Sequence, residues 1–151
     1  CREIEPYAVH FTLGNWYLIG LCRLRKENRT FSIDNIRQIE ITNNDFVKPK
    51  DFSVAKYMGN AWGIVKGKTQ AVKIKFAPTI AQWVMSKKWS KDQKAVLQKD
   101  GSVLMNFTVD GLDEISRWVL SFGEKATVIS PKELKQIVVS KAKAIMGNNT
   151  L

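Results

Sequence analysis

Histidine and cysteine are scarce in this chain of 151 residues, which holds one His and two Cys. Cys1 and Cys22 make neither a disulfide framework nor a zinc site, and that usage points to a reducing, cytosolic compartment. Cys22 lies inside an apolar run and reads as a small core residue. His10 has no Asp, Glu or Ser placed locally to form a relay. There is no CxxC, HExxH or GxGxxG, and no glycine-rich loop ending in Lys-Ser/Thr. Asp113-Glu114 reads as a helix N-terminus that favours anions, and Asp34 with Glu40 as a solvated strand face. Catalysis is therefore not expected, and neither is a metal or other cofactor. No apolar run approaches the ~18 residues of a membrane span. The start, Cys1 to Glu5, is too polar for a signal peptide. With no initiator Met, the chain is expected to begin partway into a longer protein.

Positive charge is what the chain has in excess. Lys and Arg number 24 against 14 Asp and Glu, giving +10 and a pI near 9.7. Such a field attracts polyanions and speeds their encounter. Solubility alone is the other explanation, but for a small domain that range ends near about 8 charges. The excess leans toward an anionic partner. Hydrophobic content of 44% with 25% charge is ordinary for a folded soluble domain.

The stretch from Tyr7 to Thr42 reads as a β-meander. Tyr7 to Leu13 alternates large apolar with small or polar residues, Gly14-Asn15 marks a turn, and Trp16 to Leu24 returns as a long apolar strand. The loop Arg25 to Asn28 leads to a strand over Thr30 to Asp34, and Ile36 to Thr42 is expected to close the meander as a fourth strand. Alternation puts Tyr17, Ile19, Leu21, Arg23 and Arg25 on one face and Trp16, Leu18, Gly20 and Cys22 on the other.

These residues carry a resemblance. Pro6, Gly14, Trp16-Tyr17-Leu18, Arg29-Thr30-Phe31, Asp34-Asn35-Ile36 and Asp45-Phe46 stand in the order and spacing of the WYL domain. The resemblance implies an SH3/Sm-like β-barrel that senses a ligand, usually within a bacterial transcription regulator. The family usually carries Arg immediately before that Ile, and this chain has Asn35, so one expected cation is missing.

From Asn43 to Lys68 no period is sustained, and the stretch reads as a linker with a helical turn around Phe52 to Met58. Ala71 to Phe76 then alternates apolar and basic residues as a strand. Pro78 opens a helix. Lys94 to Gln98 and Val103 to Val109 flank an Asp-Gly turn. Asp110 is expected to cap a helix over Leu112 to Ser121, with Gly123 as its terminating glycine. Ala126 to Ile129 is a fourth strand. Ser130-Pro131-Lys132-Glu133 reads as a capping box opening a last helix to about Met146, which buries Leu134, Ile137, Val138 and Ala142. This succession is the split βαβ, ferredoxin-like arrangement. Trp89 to Gln93, Trp118 to Gly123 and Val128 to Pro131 are similar to motifs of WCX, the extension that follows many WYL domains. The expected architecture is thus α+β: a barrel over residues 1–46, a linker packed on it over 47–68, and a ferredoxin-like βαββαβ domain over 69–151.

Tyr17 beside Arg23 combines a ring for a base with a cation for a phosphate, as single-stranded nucleic acid requires. The other reading makes Tyr17 core and the arginines rim charges. The resemblance adds Arg29 and, in place of the family Arg, Asn35. His10 either donates to a phosphate or is a plain strand-face residue. Lys73 and Lys75, with Lys87, Lys88, Lys91 and Lys94, read singly as solvated charges and together as a second wall of an oligonucleotide groove. Trp83 and Trp118 read as core, and Trp89 as an interface or ligand contact. The expected function is that of a ligand-sensing regulatory region. It would bind a short single-stranded nucleic acid or another phosphate-bearing ligand and signal to a winged helix-turn-helix on promoter DNA outside this chain. The alternatives are a homodimerisation module without its own ligand and a sensor of a small nucleotide.

Overall fold

A computed structural model describes residues 1–150 of the chain. Two compact units divide it, Cys1–Gly59 and Asn60–Leu151, so the boundary falls inside the segment 47–68. Both units are α+β, and each is built on one antiparallel sheet.

In the first unit, strands β1 (Ile4–Thr12), β2 (Asn15–Cys22) and β3 (Glu27–Ser32) pair in the order β1-β2-β3. The first turn is Leu13-Gly14 rather than Gly14-Asn15, because Thr12 pairs with Asn15. Both turn residues have positive φ, 49° and 80°, the geometry whose twist suits a two-residue hairpin. Either register sets apolar residues opposite each other, so the pattern alone does not choose. The observed one brings the Phe11 and Trp16 rings to 5.0 Å and lets Asn15 Nδ2 donate to Leu13 O at 3.0 Å.

After β3 comes a 3-10 turn over Ile33–Asn35, and the strand expected over Ile36 to Thr42 is absent. Ile39 and Ile41 are 75% and 97% exposed. Period-two alternation marks alternate faces, but a strand also needs a partner edge, and none is paired here. The three described strands therefore form an open sheet. Helix α1 (Val54–Met58) starts where Ser53 Oγ accepts from Lys56 N–H. Around it, Phe52 meets Tyr7 at 5.1 Å, and Tyr57 donates its hydroxyl proton to Asn28 O. This packing belongs to the side of the sheet where Ile19 and Thr30 pair, and Ile19 is fully buried. Cys22 is also fully buried, as expected of a core thiol.

In the second unit the chain runs β4 (Thr69–Phe76), α2 (Pro78–Met85), β5 (Lys94–Leu97), β6 (Val103–Asp110), α3 (Asp113–Leu120), β7 (Ala126–Ser130) and α4 (Lys132–Asn148). The sheet order is β5-β6-β4-β7, with all neighbours antiparallel. β6 alternates strictly between buried and half-exposed residues. Its buried set, Val103, Met105, Phe107 and Val109, joins Val72, Ile74 and Phe76 of β4 in one core with Val84, Ile115, Val119 and Leu134. Burying each such side chain contributes roughly 1.5–3 kcal/mol, which makes this layer the main source of the unit's stability.

Two expected caps differ. Asp110 does not cap α3: its carboxylate accepts from Asn60 N–H at 3.0 Å and from the Thr69 hydroxyl at 2.6 Å, and Leu112 occupies the cap without a side-chain bond. Ser130 does not open α4: it ends β7 opposite Lys73, and Pro131 takes the cap position. In both cases a sheet edge claimed a residue whose local chemistry suits a helix start. Of the residues expected to be buried on α4, Leu134 is buried, whereas Ile137, Val138 and Ala142 are half-buried.

Candidate functional site

Strand pairing decides which of the expected site residues meet. His10 sits directly opposite Tyr17, and Tyr17 opposite Ser32, forming one row across the sheet. The 3-10 turn containing Asn35 follows Ser32 directly and packs against β2. Asn35 is exposed, while His10 and Tyr17 are half-buried. His10 and Tyr17 thus lie at one end of the sheet, on the face that Ile19 closes further along, and the turn carrying Asn35 lies against the same strand.

Arg23 stands apart, just past the far end of β2. Its guanidinium lies 3.2 Å from Glu3, and its Nε donates to Glu5 Oε1 at 3.1 Å. Glu5 Oε2 also accepts from the Tyr7 hydroxyl at 3.1 Å. Burial, with Glu5 beside it, raises the Tyr7 pKa above the usual phenol value. Arg29 is also separate. It pairs with Gly20, and so belongs to the face opposite Tyr17, where Nη1 donates to Glu27 Oε1 at 2.7 Å. Both arginines thus hold carboxylates, and an incoming phosphate must compete with them.

The face that Arg29 shares carries rings that were not among the expected site residues. Phe11 pairs with Trp16, and Leu18 lies between Val9 and Phe31. Val9, Phe11 and Trp16 are each more than half exposed. The signal for Phe11 and Trp16 was present in the alternation, which placed Trp16 opposite to Tyr17's face. What was missing was knowledge of which face the rest of the unit covers.

On the open face of the second sheet, Lys94, Asn106, Lys73 and Ser130 form one row across all four strands. They line a shallow groove of about 260 Å³ with Asp92 and Thr108. Burial opposes ionisation of Asp92, but bonds from the Ser90 hydroxyl and the Thr108 N–H outweigh it and lower its pKa. Lys75 is not available in the same way, because its ammonium lies 2.9 Å from Asp100. Trp89 is held in place: its N–H donates to Gln93 Oε1 at 2.6 Å, and its indole N–H donates to Val84 O at 2.9 Å.

Among the described residues, no group of three His, Cys, Asp or Glu is placed to hold a metal ion, and no helix is long and apolar enough to cross a membrane.

Comparison with known families matches the WCX domain over residues 68–146 and the WYL domain over residues 1–41. The chain belongs to the WCX family, and its first 41 residues match the WYL domain. The WYL match covers β1 to β3 and the turn after them, and the WCX match covers the second sheet with its helices. A curated relative, "Uncharacterized HTH-type transcriptional regulator YobV" of Bacillus subtilis (strain 168), is 32% identical over 47 residues, which is 31% of this chain. The solved structure "Proteasome accessory factor B/C (PafBC) of Arthrobacter aurescens" is similar at a TM-score of 0.43 and 21% identity over 99% of this chain. The matched parts span 15% of the length of the Bacillus regulator and 23% of the PafBC chain.

Proposed function

We propose that the chain is a ligand-sensing regulatory region of a bacterial transcription regulator, a cytoplasmic protein without catalytic activity. It would bind a short single-stranded nucleic acid and pass that signal to a winged helix-turn-helix on promoter DNA outside these residues. The observation that carries this reading is the WYL domain followed by WCX in one chain, alongside a relative named an HTH-type transcriptional regulator. In this reading the WYL sheet belongs to an SH3/Sm-like fold over residues 1–46, and residues 47–68 pack on it as a linker. The WCX order β5-β6-β4-β7 fits a ferredoxin-like domain over residues 69–151.

The ligand contacts are assigned to His10, Tyr17 and Asn35 at one end of the WYL sheet. Arg23, past the far end of β2, and Arg29, on the opposite face, lie outside that cluster, and they supply cations only to a strand long enough to run on past it, once its phosphates displace their carboxylates. Each stacked base is worth about 1–3 kcal/mol, whereas an exposed ion pair is worth about 0–1, so rings decide affinity here more than arginines. The test is fluorescence polarisation of a labelled random single strand against a duplex of equal length, at two salt concentrations. Tighter, salt-sensitive binding of the single strand is expected, weakened by Tyr17→Ala and by Arg23→Ala with Arg29→Ala. Unchanged affinity in these variants at low salt would sink the site assignment. Competition by mononucleotides alone would replace the oligonucleotide with a small nucleotide.

One observation favours a second reading, homodimerisation without a ligand. Strand β5 is an edge whose Val96 and Leu97 are 51% and 61% exposed, and an open apolar edge is a template for pairing with a second copy. A dimer by sedimentation that is indifferent to nucleic acid would support this alone.

A further inference from the structure

Between α2 and α3 of the WCX unit lies an open cleft of about 480 Å³, walled by Ile80, Trp83, Trp89, Trp118 and Phe122, with Ser121 and Lys125 at its polar side. A cluster of four rings this close usually closes on itself as core, and Trp118 does so on its inner side. It lies 4.7 Å from Trp62 and 5.6 Å from Phe76. On its outer side the rings stay tilted around open space: Trp83 to Trp89 at 5.5 Å, Trp89 to Trp118 at 4.9 Å, Trp118 to Phe122 at 4.9 Å. Trp83 remains 50% exposed.

Two of the walls, Trp89 and Trp118, are held before anything binds. Trp89 is tied to Val84 and Gln93, and the Trp118 ring is backed by Trp62 and Phe76. Those two rings have little rotamer freedom left to lose on binding, which favours affinity. The lining, mostly aromatic with a few polar groups, is of the kind found in small-molecule sites, although the cleft is open and offers a stacking surface more than an enclosure. Lys125 is exposed, and among the described residues no carboxylate is paired with it.

We propose that this cleft binds a flat aromatic molecule carrying a negative group, its ring stacked on Trp83 and Trp118 and its anion on Lys125. A ring of indoles alone would also suit a quaternary ammonium. The Lys125 cation at the cleft disfavours that ligand by like charge and selects an anion. The site is distinct from the nucleic-acid contact assigned to the WYL sheet, and it stands whether or not that assignment holds.

The test uses the 151-residue chain labelled with 15N, following the indole N–H resonances of Trp83, Trp89 and Trp118, with Trp16 of the other unit as the internal reference. Two probes separate the sources of such a ligand: 1-naphthoate for aryl carboxylates and adenosine monophosphate for nucleotides. One or both should shift Trp83 and Trp118 saturably, with a midpoint that Tyr17→Ala leaves unchanged, and 1-naphthoate should leave Trp16 still. Trp83→Ala should weaken binding about 5- to 150-fold, and Lys125→Ala about 2- to 5-fold, with the lysine effect fading at high salt. Trp83→Phe, which keeps a ring on α2, guards against a folding failure and should bind more tightly than Trp83→Ala. The proposal is overturned if neither probe shifts these resonances, if Lys125→Ala binds as well as the parent chain, or if tetramethylammonium binds in preference to both anions.

Discussion

Glu114 gives the sharpest test of how the WCX unit is held together. It lies buried on α3, at 8% exposure, yet among the described residues no cation is paired with it. Its carboxylate instead accepts three consecutive backbone N–H groups: Oε2 from Gly63 at 2.8 Å and Val65 at 3.2 Å, and Oε1 from Ile64 at 3.1 Å. Successive N–H groups converging in this way make an anion-binding nest. Bonds to a charged acceptor contribute about 1.5–3 kcal/mol each, which for three would sum to roughly 4–9. Several kcal/mol of that is cancelled by desolvation of the carboxylate. The net effect is about 3 kcal/mol. Glu114→Gln isolates the charge and one acceptor at constant shape. With its oxygen toward Gly63 and Val65, the amide NH2 faces the Ile64 N–H, orphaning one donor. A loss of about 2–3 kcal/mol is expected, and about 3–4 for Glu114→Ala, which orphans all three. Urea titration followed by tryptophan fluorescence measures the loss. Hydrogen exchange should accelerate most at the Gly63, Ile64 and Val65 amides. A cost below about 1 kcal/mol with unchanged exchange at those amides would refute the clamp.

Three other expectations follow from particular contacts. A Cβ on Gly20 would sit 2.1 Å from the backbone oxygen of Glu5, so Gly20→Ala should cost about 2–3 kcal/mol by forcing β1 and β2 apart; a urea midpoint equal to the parent's would show that the strands yield freely. Leu134 is fully buried on α4 against the sheet, and Leu134→Ala should cost about 2–5 kcal/mol through lost transfer energy and a cavity, read from the same titration. Lys141, with Arg117 beside it, holds the Asp113 carboxyl below the usual value. Because the folded pKa is the lower one, the stabilisation is complete above the ordinary value near ~3.9 and is lost as pH falls below it. Lys141→Met should therefore shrink the stability difference between pH 6 and pH 3; an unchanged difference would assign the acid sensitivity elsewhere.

Sequence alone determined the succession of elements. Strong alternation in Ala71 to Phe76 and Val103 to Val109, the Asp-Gly turn, Pro78 and the aromatic meander each specify a local conformation through nearby residues, and the structure has an element at each. The Trp-Tyr-Leu tripeptide and the WCX motifs were equally visible, since they are fixed runs of residues. Tertiary structure decided whatever depends on a partner distant in the chain. Ile36 to Thr42 alternates but found no edge to pair with. Asp110 and Ser130 have helix-capping side chains, yet the sheet took both. Tyr17 and Arg29 are close in sequence to the same motif, but strand register put them on opposite faces, and each arginine met a carboxylate that spacing did not predict. Trp62, unpatterned within its segment, became part of the WCX aromatic cluster. Glu114 looked like a helix-start acid and turned out to hold a loop fifty residues away. Periodicity reports which residues share a face, because it comes from backbone geometry. What covers that face is a long-range choice made by packing, and no local pattern contains it.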